Sequence, residues 1–425
     1  MVEDHISLRH TPGGIPVIIE TLPSVRSVAL SVNIRVGSRD EDPRLCGMAH
    51  LLEHVMFKGT KDRSAKEIAD MIEGAGGELN GFTTKEMTSY HVFSLDETLS
   101  VAEKLLSDMM RNALIDEEHV ELEKGVVTQE ISSLEEDPES YASVLLDQSI
   151  WKGHPMSFSE SGELECVKRI CANDLREFHD RFYVKPNVYV VAVGNLEGKA
   201  VMRWVSEHFD DLPNTRAPVN RKAPRPHSSI NVYPREGDQA YVELGFPSYD
   251  AKHPKHHAAS LAAIILGAGS SSRLYQRIRE EEGLVYQIHM FPDAYSDCGL
   301  LETYFSSSVG EAEKVIRLIA EEIRRFKEEG LVAGELERAK RWVKGMFVRK
   351  LESTENRMYW LAENYVLSGK VQPISRWMGE FQEVSEEQVL AAAQDLLRTR
   401  KLCIALHTSE RPGKSIAKSI SDLDF

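Results

Sequence analysis

The predicted secondary-structure elements occur in the same order twice along this chain of 425 residues, and that repeat constrains the fold most. Strands are identified by alternating apolar residues, and helices by apolar residues three and four positions apart. The first half predicts a strand, a helix pair, a strand pair and a second helix pair, at residues 28–36, 47–58, 64–74, 78–95, 97–112 and 117–135. The second half repeats this order, at residues 240–246, 257–267, 271–282, 284–291, 300–307, 311–328 and 334–355. Each half is therefore expected to be one copy of the same α/β unit.

A proline-rich segment separates the two predicted copies. Residues 212–229 contain four prolines and several basic side chains, with little apolar periodicity. We therefore predict a first domain at 1–211, a linker at 212–229 and a homologous second domain at 230–425. The expected fold class is α+β, in which each half is a mostly antiparallel sheet with helices packed on one face. The polar residues 409–425 are expected to be frayed.

Composition limits the partners that we expect. The 51 basic and 67 acidic residues give a net charge of −16, which disfavours nucleic acid and anionic membrane as partners. Apolar runs stay far below the ~20 residues that a membrane-spanning helix needs. The five cysteines are scattered, and no apolar run follows Glu3, Asp4 and Arg9, so neither a disulfide framework nor a secretory signal is indicated. We expect a cytoplasmic protein.

The segment His50-Leu51-Leu52-Glu53-His54 lies inside the first predicted helix. Residues at positions i and i+4 share a helix face, so both imidazoles can reach one ion at ~2.0–2.1 Å. Glu53 lies close to the same place but is displaced around the helix, which suits a carboxylate that handles a water molecule on the metal. Two partly buried histidines on a core-facing helix are the alternative, and the motif alone does not decide.

The helix predicted at 117–135 places two carboxylates on its core side. Apolar and acidic residues follow a spacing of three and four and form one stripe, which consists of Val120, Glu123, Val127, Glu130 and Leu134. A buried carboxylate without a partner is costly, so it should be neutralised, paired or bound to a cation. Ordinary surface carboxylates on a solvated face are the alternative. A two-histidine helix that lacks its third ligand favours the metal interpretation.

Several segments together resemble one family of metallopeptidases. They are the motif within Gly47–Thr60 (GMAHLLEHVMFKGT), Gly76–Thr83 (GGELNGFT), His154-Pro155, Val193-Gly194, and Glu130, which lies 76 residues beyond His54. This pattern is similar to the inverted zinc motif of the pitrilysin/insulinase-type peptidases. The resemblance is closest to the branch with subunits of about 50 kDa that includes mitochondrial processing peptidase and its bacterial relatives.

The resemblance implies roles for matching residues of the first half. It makes His50, His54 and Glu130 the ligands of one Zn²⁺ per chain, and Glu53 the general base. Glu123 matches an acidic position seven residues before the third ligand, behind the metal. Three protein ligands leave one zinc position open for water, which is the arrangement of a catalytic zinc site.

In the second half, Arg279 and Tyr286 match an arginine and a tyrosine seven residues apart in the family. The resemblance implies that these side chains bind substrate and stabilise the transition state. On residue type alone, Arg279 would be a surface residue and Tyr286 a residue of a core strand.

The resemblance also implies a substrate strand. The segment 79–84 is expected to be an edge strand onto which an extended peptide adds by main-chain pairing, so the substrate-binding residues are Leu79, Asn80, Gly81, Phe82 and Thr83. Relatives often have alanine at the position of Gly81, which is a mild departure.

The function that follows is a zinc metalloendopeptidase acting on oligopeptides or unfolded polypeptides inside a closed dimer chamber. Because each chain has one zinc half and one Arg/Tyr half, a homodimer is expected, and a heterodimer with a paralogous subunit stays open. The alternative is a non-catalytic peptide-binding or scaffold subunit of a related complex. Such subunits usually lose a ligand or the base, whereas this chain retains both, which favours the enzyme.

Overall fold

A computed structural model describes residues 6–215, 219 and 221–425, so part of the linker predicted at 212–229 lies outside the described residues. The strands, in chain order, are β1 Ile6–His10, β2 Pro16–Thr21, β3 Ser27–Ile34, β4 Glu78–Thr83, β5 Thr88–Leu95, β6 Val188–Gly194, β7 Ser229–Pro234, β8 Gln239–Ser248, β9 Ile288–Ala294, β10 Gly299–Ser308 and β11 Cys403–Thr408. They form two sheets, which confirms the mixed α and β fold expected from the sequence.

The α-helices, in chain order, are α1 Met48–Met56, α2 Ala65–Glu73, α3 Leu99–Asn112, α4 Glu117–Glu136, α5 Pro138–Ile150, α6 Leu164–Val167, α7 Ala172–Phe182, α8 Gly198–Phe209, α9 His256–Gly267, α10 Ala312–Glu329, α11 Glu335–Lys350, α12 Thr354–Ser368, α13 Ile374–Gln382, α14 Glu386–Leu396 and α15 Glu410–Ser419. A π-helical segment spans Tyr275–Glu281, and short 3-10 turns lie at Ser38–Asp40, Pro43–Leu45, Asp96–Thr98, Pro155–Ser157, Lys185–Asn187 and Thr399–Lys401. Among the described residues, every helix is too short or too polar to cross a lipid bilayer.

The chain folds into two compact units, and each unit is built from three chain segments. The first comprises the residues up to Ser132, Phe158–Arg221 and Phe347–Ser375, and the second comprises Ser133–Ser157, Lys222–Met346 and Arg376–Phe425. Helix α5 therefore belongs to the second unit, and α12 belongs to the first. The compact units differ from a division of the chain into continuous halves at 1–211 and 230–425, because one segment of each half belongs to the other unit. The two homologous halves therefore remain a proposal about the sequence repeat.

The sheet of the first unit has the strand order β1-β2-β6-β3-β5-β4. Its neighbours are antiparallel except β2 and β6, and β4 lies at one edge, where it pairs with β5 in the register Gly81↔Tyr90. Helices α1 and α3 pack on β5, and their apolar residues join the main core of the unit. Because α1 lies beside β4, the polar side chains of this helix lie near the edge of the sheet that β4 forms.

The opposite face of this sheet is covered by α12, which packs on β3 and β6. The contact is partly polar, because Tyr189 of β6 donates a hydrogen bond to the carbonyl of Ala362 at 3.0 Å. Strand β3 is consequently buried on both faces, whereas its alternating sequence predicts a half-buried strand. Small residues such as Ala29 and Ser31 on its second face leave room for a helix.

The sheet of the second unit has the order β7-β11-β8-β10-β9, with β7 and β11 parallel and the other pairs antiparallel. Helices α9, α10 and α14 contribute apolar residues to one core, and α5 packs on β8 and β11. Gly245 of β8 permits this close approach, because a Cβ there would lie 2.9 Å from Leu146.

Three local predictions differ from the structure. The helix expected at 334–355 is interrupted, because Ser353 accepts a hydrogen bond from the backbone N–H of Asn356 and so begins α12. The helix expected at 271–282 is largely π-helical. The segment 409–425 is not frayed, because α15 packs on β7 and the side chains of Ile416 and Phe425 are buried.

Substitutions at two glycines, one packed against the start of α1 and one in open space, test how tightly the chain is packed there. Gly162 has φ +79°, and a Cβ there would meet the carbonyl oxygen of Cys46 at 2.4 Å; Gly153 has φ +78° and open space around it. We expect Gly153→Ala to cost about 1–2 kcal/mol from backbone strain alone. Gly162→Ala should cost at least about 2 kcal/mol more in denaturant unfolding, since backbone must move. Equal losses in the two variants would contradict the packing described here.

Candidate metal centre

Helix α1 carries the histidine motif, and a buried carboxylate fixes its first turn. The helix begins after Gly47, whose φ of 98° favours glycine. The Glu41 carboxylate accepts hydrogen bonds from the backbone N–H groups of Gly47 and Ala49, both at 2.6 Å. Burial raises the pKa of Glu41 to about 8, and these two hydrogen bonds oppose the rise. Glu41 thus satisfies two N–H groups that the helix itself leaves unpaired.

Two imidazoles and one carboxylate converge beside α1. The Oε2 atom of Glu130 lies 3.7 Å from Nε2 of His50 and 3.5 Å from Nε2 of His54. One ligand atom from each of the three residues lies within 4.8 Å of the others. The structure therefore brings together the three residues that the sequence assigns to the metal, from a helix pair far apart in the chain.

The donor set fits a zinc ion. Burial lowers the pKa of His50 to about 4, and the neighbouring His54 contributes to this decrease. The imidazole is therefore neutral at neutral pH and has a free lone pair. The Nδ1 atom of His50 is buried, and no described residue hydrogen-bonds to it. Two imidazole nitrogens and a carboxylate oxygen are ligands that zinc takes in three-ligand sites.

Glu123 orients His54 from behind. Its carboxylate is 2% exposed, its Oε2 accepts a hydrogen bond from Nδ1 of His54 at 3.1 Å, and its Oε1 lies 2.7 Å from Nζ of Lys58. A proton held on Nδ1 leaves the lone pair on Nε2, the nitrogen that faces Glu130. Lys58 supplies the counter-charge that a buried carboxylate requires.

Glu130 is less buried than the predicted stripe on α4 implied. Its side chain is 43% exposed, and the buried residues of α4 are Val120, Glu123, Val127 and Ile131. With 3.6 residues per turn, the buried stripe continues to the position eleven residues after Val120 rather than ten. Glu130 consequently lies at the rim of the stripe, next to solvent.

Glu53 lies beside these three groups in a largely buried position. Thr83 of β4 donates a hydrogen bond from Oγ1 to Oε2 of Glu53 at 2.7 Å. Burial raises the pKa of Glu53 to about 7, Glu130 adds to the rise, and Thr83 and His54 oppose it. A carboxyl group of this kind can both accept and release a proton near neutral pH.

The predicted substrate strand is the edge strand β4, with Leu79, Asn80, Gly81, Phe82 and Thr83 inside it. Gly81 faces α1, because a Cβ there would lie 3.0 Å from Oε1 of Glu53 and 3.0 Å from Phe57. Phe82 faces the other side of the sheet, where its ring centroid lies 5.4 Å from that of Tyr359. The absence of a side chain at Gly81 thus allows the backbone of β4 to lie close to the Glu53 carboxylate.

Arg279 and Tyr286 lie together in the second unit. The guanidinium carbon of Arg279 is 5.1 Å from the Tyr286 ring centroid, and its Nη1 donates a hydrogen bond to the carbonyl of Val285 at 3.2 Å. Tyr286 is 79% exposed and precedes β9, so the alternative of a core strand residue is wrong. The Nε atom of Arg279 is buried and makes no hydrogen bond to the described residues.

Sequence reasoning missed Glu41 and Lys58, and it did not assign Thr83 a role toward Glu53. A weak signal existed for Glu41, since an acidic residue shortly before a helix often caps its N-terminus. Nothing in the periodicity of the chain links Lys58 to Glu123, because that contact joins α4 to the end of α1.

Two family models match the chain. The one described as "Insulinase (Peptidase family M16)" matches residues 16–161, and the one described as "Peptidase M16 inactive domain" matches residues 169–342. A protein named as a zinc protease from Streptomyces coelicolor is 32% identical over 397 residues, which cover 92% of this chain and 86% of that protein. A zinc protease of Bacillus subtilis is 31% identical, covering 92% of this chain and 96% of its own length.

Solved structures show the same fold. A protease from Helicobacter pylori superposes with a TM-score of 0.87 at 20% identity and covers 96% of this chain and 100% of its own. A Pseudomonas fluorescens structure described as a peptidase M16 inactive domain gives a TM-score of 0.88 at 22% identity, covering 95% of this chain and 98% of its own.

The hydrogen bonds of Glu41 lead to a stability prediction. Glu41→Ala leaves the N–H groups of Gly47 and Ala49 without their partner, so we expect a loss of about 2–4 kcal/mol in denaturant unfolding at neutral pH. Asp42→Ala is the neighbouring control, because Asp42 accepts one backbone N–H rather than two, that of Arg44, at an exposed turn, and its substitution should cost about 1 kcal/mol. Equal losses of stability in the two variants would show that Glu41 does not anchor α1.

Proposed function

Because the chain belongs to the insulinase family of peptidases, peptidase family M16, we propose that it is a zinc-dependent metalloendopeptidase of the cytoplasm. Its substrates would be oligopeptides or unfolded polypeptides. The observation that carries the proposal is the group of three ligand atoms within 4.8 Å of one another, beside a carboxyl group whose pKa burial raises to about 7. Both features lie in the first unit, which supports a hydrolytic role.

In the proposed site, His50, His54 and Glu130 hold one zinc ion per chain. A zinc ion bound in this way acts as a Lewis acid and lowers the pKa of water towards about 7. Glu123 keeps the proton of His54 on Nδ1, at 3.1 Å, so that Nε2 is free to act as a ligand. Lys58 balances the charge of Glu123, since its Nζ atom lies 2.7 Å from Oε1 of that carboxylate.

Glu53 is the proposed general base. It accepts a proton from the attacking water as the water adds to the scissile carbonyl carbon, and it then gives that proton to the departing amine nitrogen. The hydrogen bond from Thr83 at 2.7 Å holds one oxygen of Glu53 in place and leaves the other directed towards Gly81. One group thus serves both proton transfers, which suits a pKa near neutrality.

The substrate is proposed to add as a strand to the free edge of β4. Main-chain hydrogen bonds would give affinity with loose sequence preference, since they do not depend on side chains. A peptide bond lying opposite Gly81 would be near Glu53, because the backbone of Gly81 lies close to that carboxylate. This arrangement requires an extended peptide, which explains the expected preference for unfolded chains.

Arg279 and Tyr286 are proposed to act on the substrate of a second copy. The exposed Tyr286 hydroxyl would donate a hydrogen bond to the developing oxyanion, and Arg279 would bind the substrate backbone or carboxylate. A homodimer that encloses a chamber would present this pair to the zinc half of its partner. A heterodimer with a paralogous subunit would use the same residues.

A non-catalytic peptide-binding or scaffold subunit is the second candidate. The description of one family model and one structural relative as an inactive domain favours it. That family model matches residues 169–342, however, which exclude the histidine motif and Glu130. The convergence of His50, His54, Glu53 and Glu130 in the first unit favours the enzyme instead.

Substitution of the base tests the enzyme proposal. Glu53→Gln retains the shape of the side chain but cannot take a proton, so we expect it to retain zinc and lose at least ~10²-fold in turnover of a quenched peptide library. Glu118→Gln, which alters an exposed glutamate of α4, is the control and should leave turnover unchanged. Chelation should abolish cleavage by the unsubstituted protein, and added zinc should restore it. Near-normal cleavage by Glu53→Gln would reject the role of this residue.

Mixed subunits test the proposed dimer. Glu53→Gln and Arg279→Ala subunits, each inactive alone, should recover about a quarter of full activity when equal amounts exchange, since half the dimers are mixed and each has one complete site. The control mixes Arg279→Ala with the double variant Glu53→Gln/Arg279→Ala, which completes no site. An inactive mixture of the two single variants, with mixed dimers demonstrated by mass spectrometry, would contradict sharing of sites.

A further inference from the structure

A second cluster of metal-ligand atoms lies in the first unit, apart from the histidine motif. The sulfur atoms of Cys46 and Cys166 and a carboxylate oxygen of Glu163 all lie within 4.8 Å of one another. Cys46 is 0% exposed and Cys166 is 8% exposed, whereas Glu163 lies at the surface. Two thiols therefore point at a carboxylate that also contacts solvent.

Local geometry brings these residues together from distant parts of the chain. Cys46 precedes Gly47, at the start of α1. Cys166 lies within the single turn of α6, and Glu163 directly precedes that turn. Gly162 allows the two segments to touch, since its Cα lies 3.2 Å from where a Cβ of Gly47 would be. Glu163 flanks the N-terminus of α6 without capping it, because its side chain accepts no hydrogen bond there.

The electrostatics of the cluster favour a positive charge. Burial raises the pKa of the Cys46 thiol, and the hydrogen bond and charge of Cys166 and the charge of Glu163 raise it further. The backbone N–H of Glu163 opposes this rise. The charged groups that act on Cys46 are thus potential anions. A cation placed between these groups would instead lower the pKa of the thiol, because a coordinating thiol is deprotonated by the metal.

We propose that Cys46, Cys166 and Glu163 bind a soft divalent cation, for which zinc is the chemically matched ion. Zinc takes thiolate sulfur at about 2.3 Å and carboxylate oxygen at about 2.0–2.2 Å, so two ligand atoms on a tetrahedral ion stand about 3.5 Å apart. The observed cluster reaches that spacing by movements of about 1 Å or less. Two buried thiols in simple apolar contact would not require the carboxylate that completes the set.

The bound ion would act as a structural clamp. It would join the residue before α1 to α6, at the place where Gly162 and the Cys46 carbonyl already pack together. His50 follows Cys46 by one helical turn, so the clamp would fix the beginning of the helix that carries the histidine motif. The inference does not rest on the proposed peptidase activity, since it concerns other residues and a different ligand type.

Cadmium titration of the reduced, metal-free protein tests the proposal. Thiolate bound to cadmium gives charge-transfer absorption in the ultraviolet, and His50, His54 and Glu130 contain no sulfur. The band therefore reports on cysteine ligands and not on the histidine motif, and the cysteine variants identify which thiols bind. We expect the band to saturate at one equivalent per chain and zinc to displace it. Cys46→Ser and Cys166→Ser should each abolish the band, and Cys403→Ser, at a buried cysteine of β11, should retain it.

Glu163→Gln keeps the test decisive if the buried cysteine variants fail to fold, because Glu163 is exposed. We expect this variant to weaken cadmium binding at least about tenfold. Glu165→Gln, two residues away and paired with Lys168 at the surface, should bind as the unsubstituted protein does. Absence of the band while both thiols remain titratable would overturn the proposal. So would an unchanged cadmium affinity of Glu163→Gln, or a Cys46–Cys166 disulfide in freshly isolated protein.

Discussion

Two buried carboxyl groups hold α1 in place, and the arrangement of the candidate metal ligands depends on them. Glu41 accepts two backbone N–H groups at the start of the helix, and Glu123 accepts the Nδ1 proton of His54 near its end. Burying carboxyl groups is costly, and the cost is offset by these hydrogen bonds and, at Glu123, also by Lys58. The same contacts restrict α1 to one position and rotation, so His50 and His54 present their Nε2 atoms to Glu130 rather than to the core.

The edge strand β4 lies beside this candidate centre, and we propose that the substrate adds to it. Thr83 fixes one oxygen of Glu53, and the backbone of Gly81 lies close to the other. A single strand thus both positions the proposed base and offers a free edge. Arg279 and the exposed Tyr286 form a separate pair in the second unit. A chain with one copy of each element is consistent with a peptidase whose sites are completed between subunits, which is the part of the proposal that needs a second copy.

The histidine motif was predictable because spacing within one helix determines which side chains share a face. Glu130 required the family resemblance as well, since no local rule relates α4 to α1, and its exposure at the rim shows that the stripe on α4 was only approximate. The exchange of α5 and α12 between the two units escaped prediction, because each helix has an ordinary sequence and its position is decided by long-range packing. The burial of Phe425 was missed for the same reason, as the segment around it is polar.

Anomalous diffraction at the zinc absorption edge tests most directly whether His50, His54 and Glu130 bind one zinc ion. Crystals grown with zinc should show an anomalous peak within about 2.0–2.2 Å of both Nε2 atoms and of a Glu130 oxygen, and Glu130→Gln should weaken or remove it. A zinc-loaded crystal with no anomalous density between these three side chains would contradict the account, whatever the activity of the protein in solution.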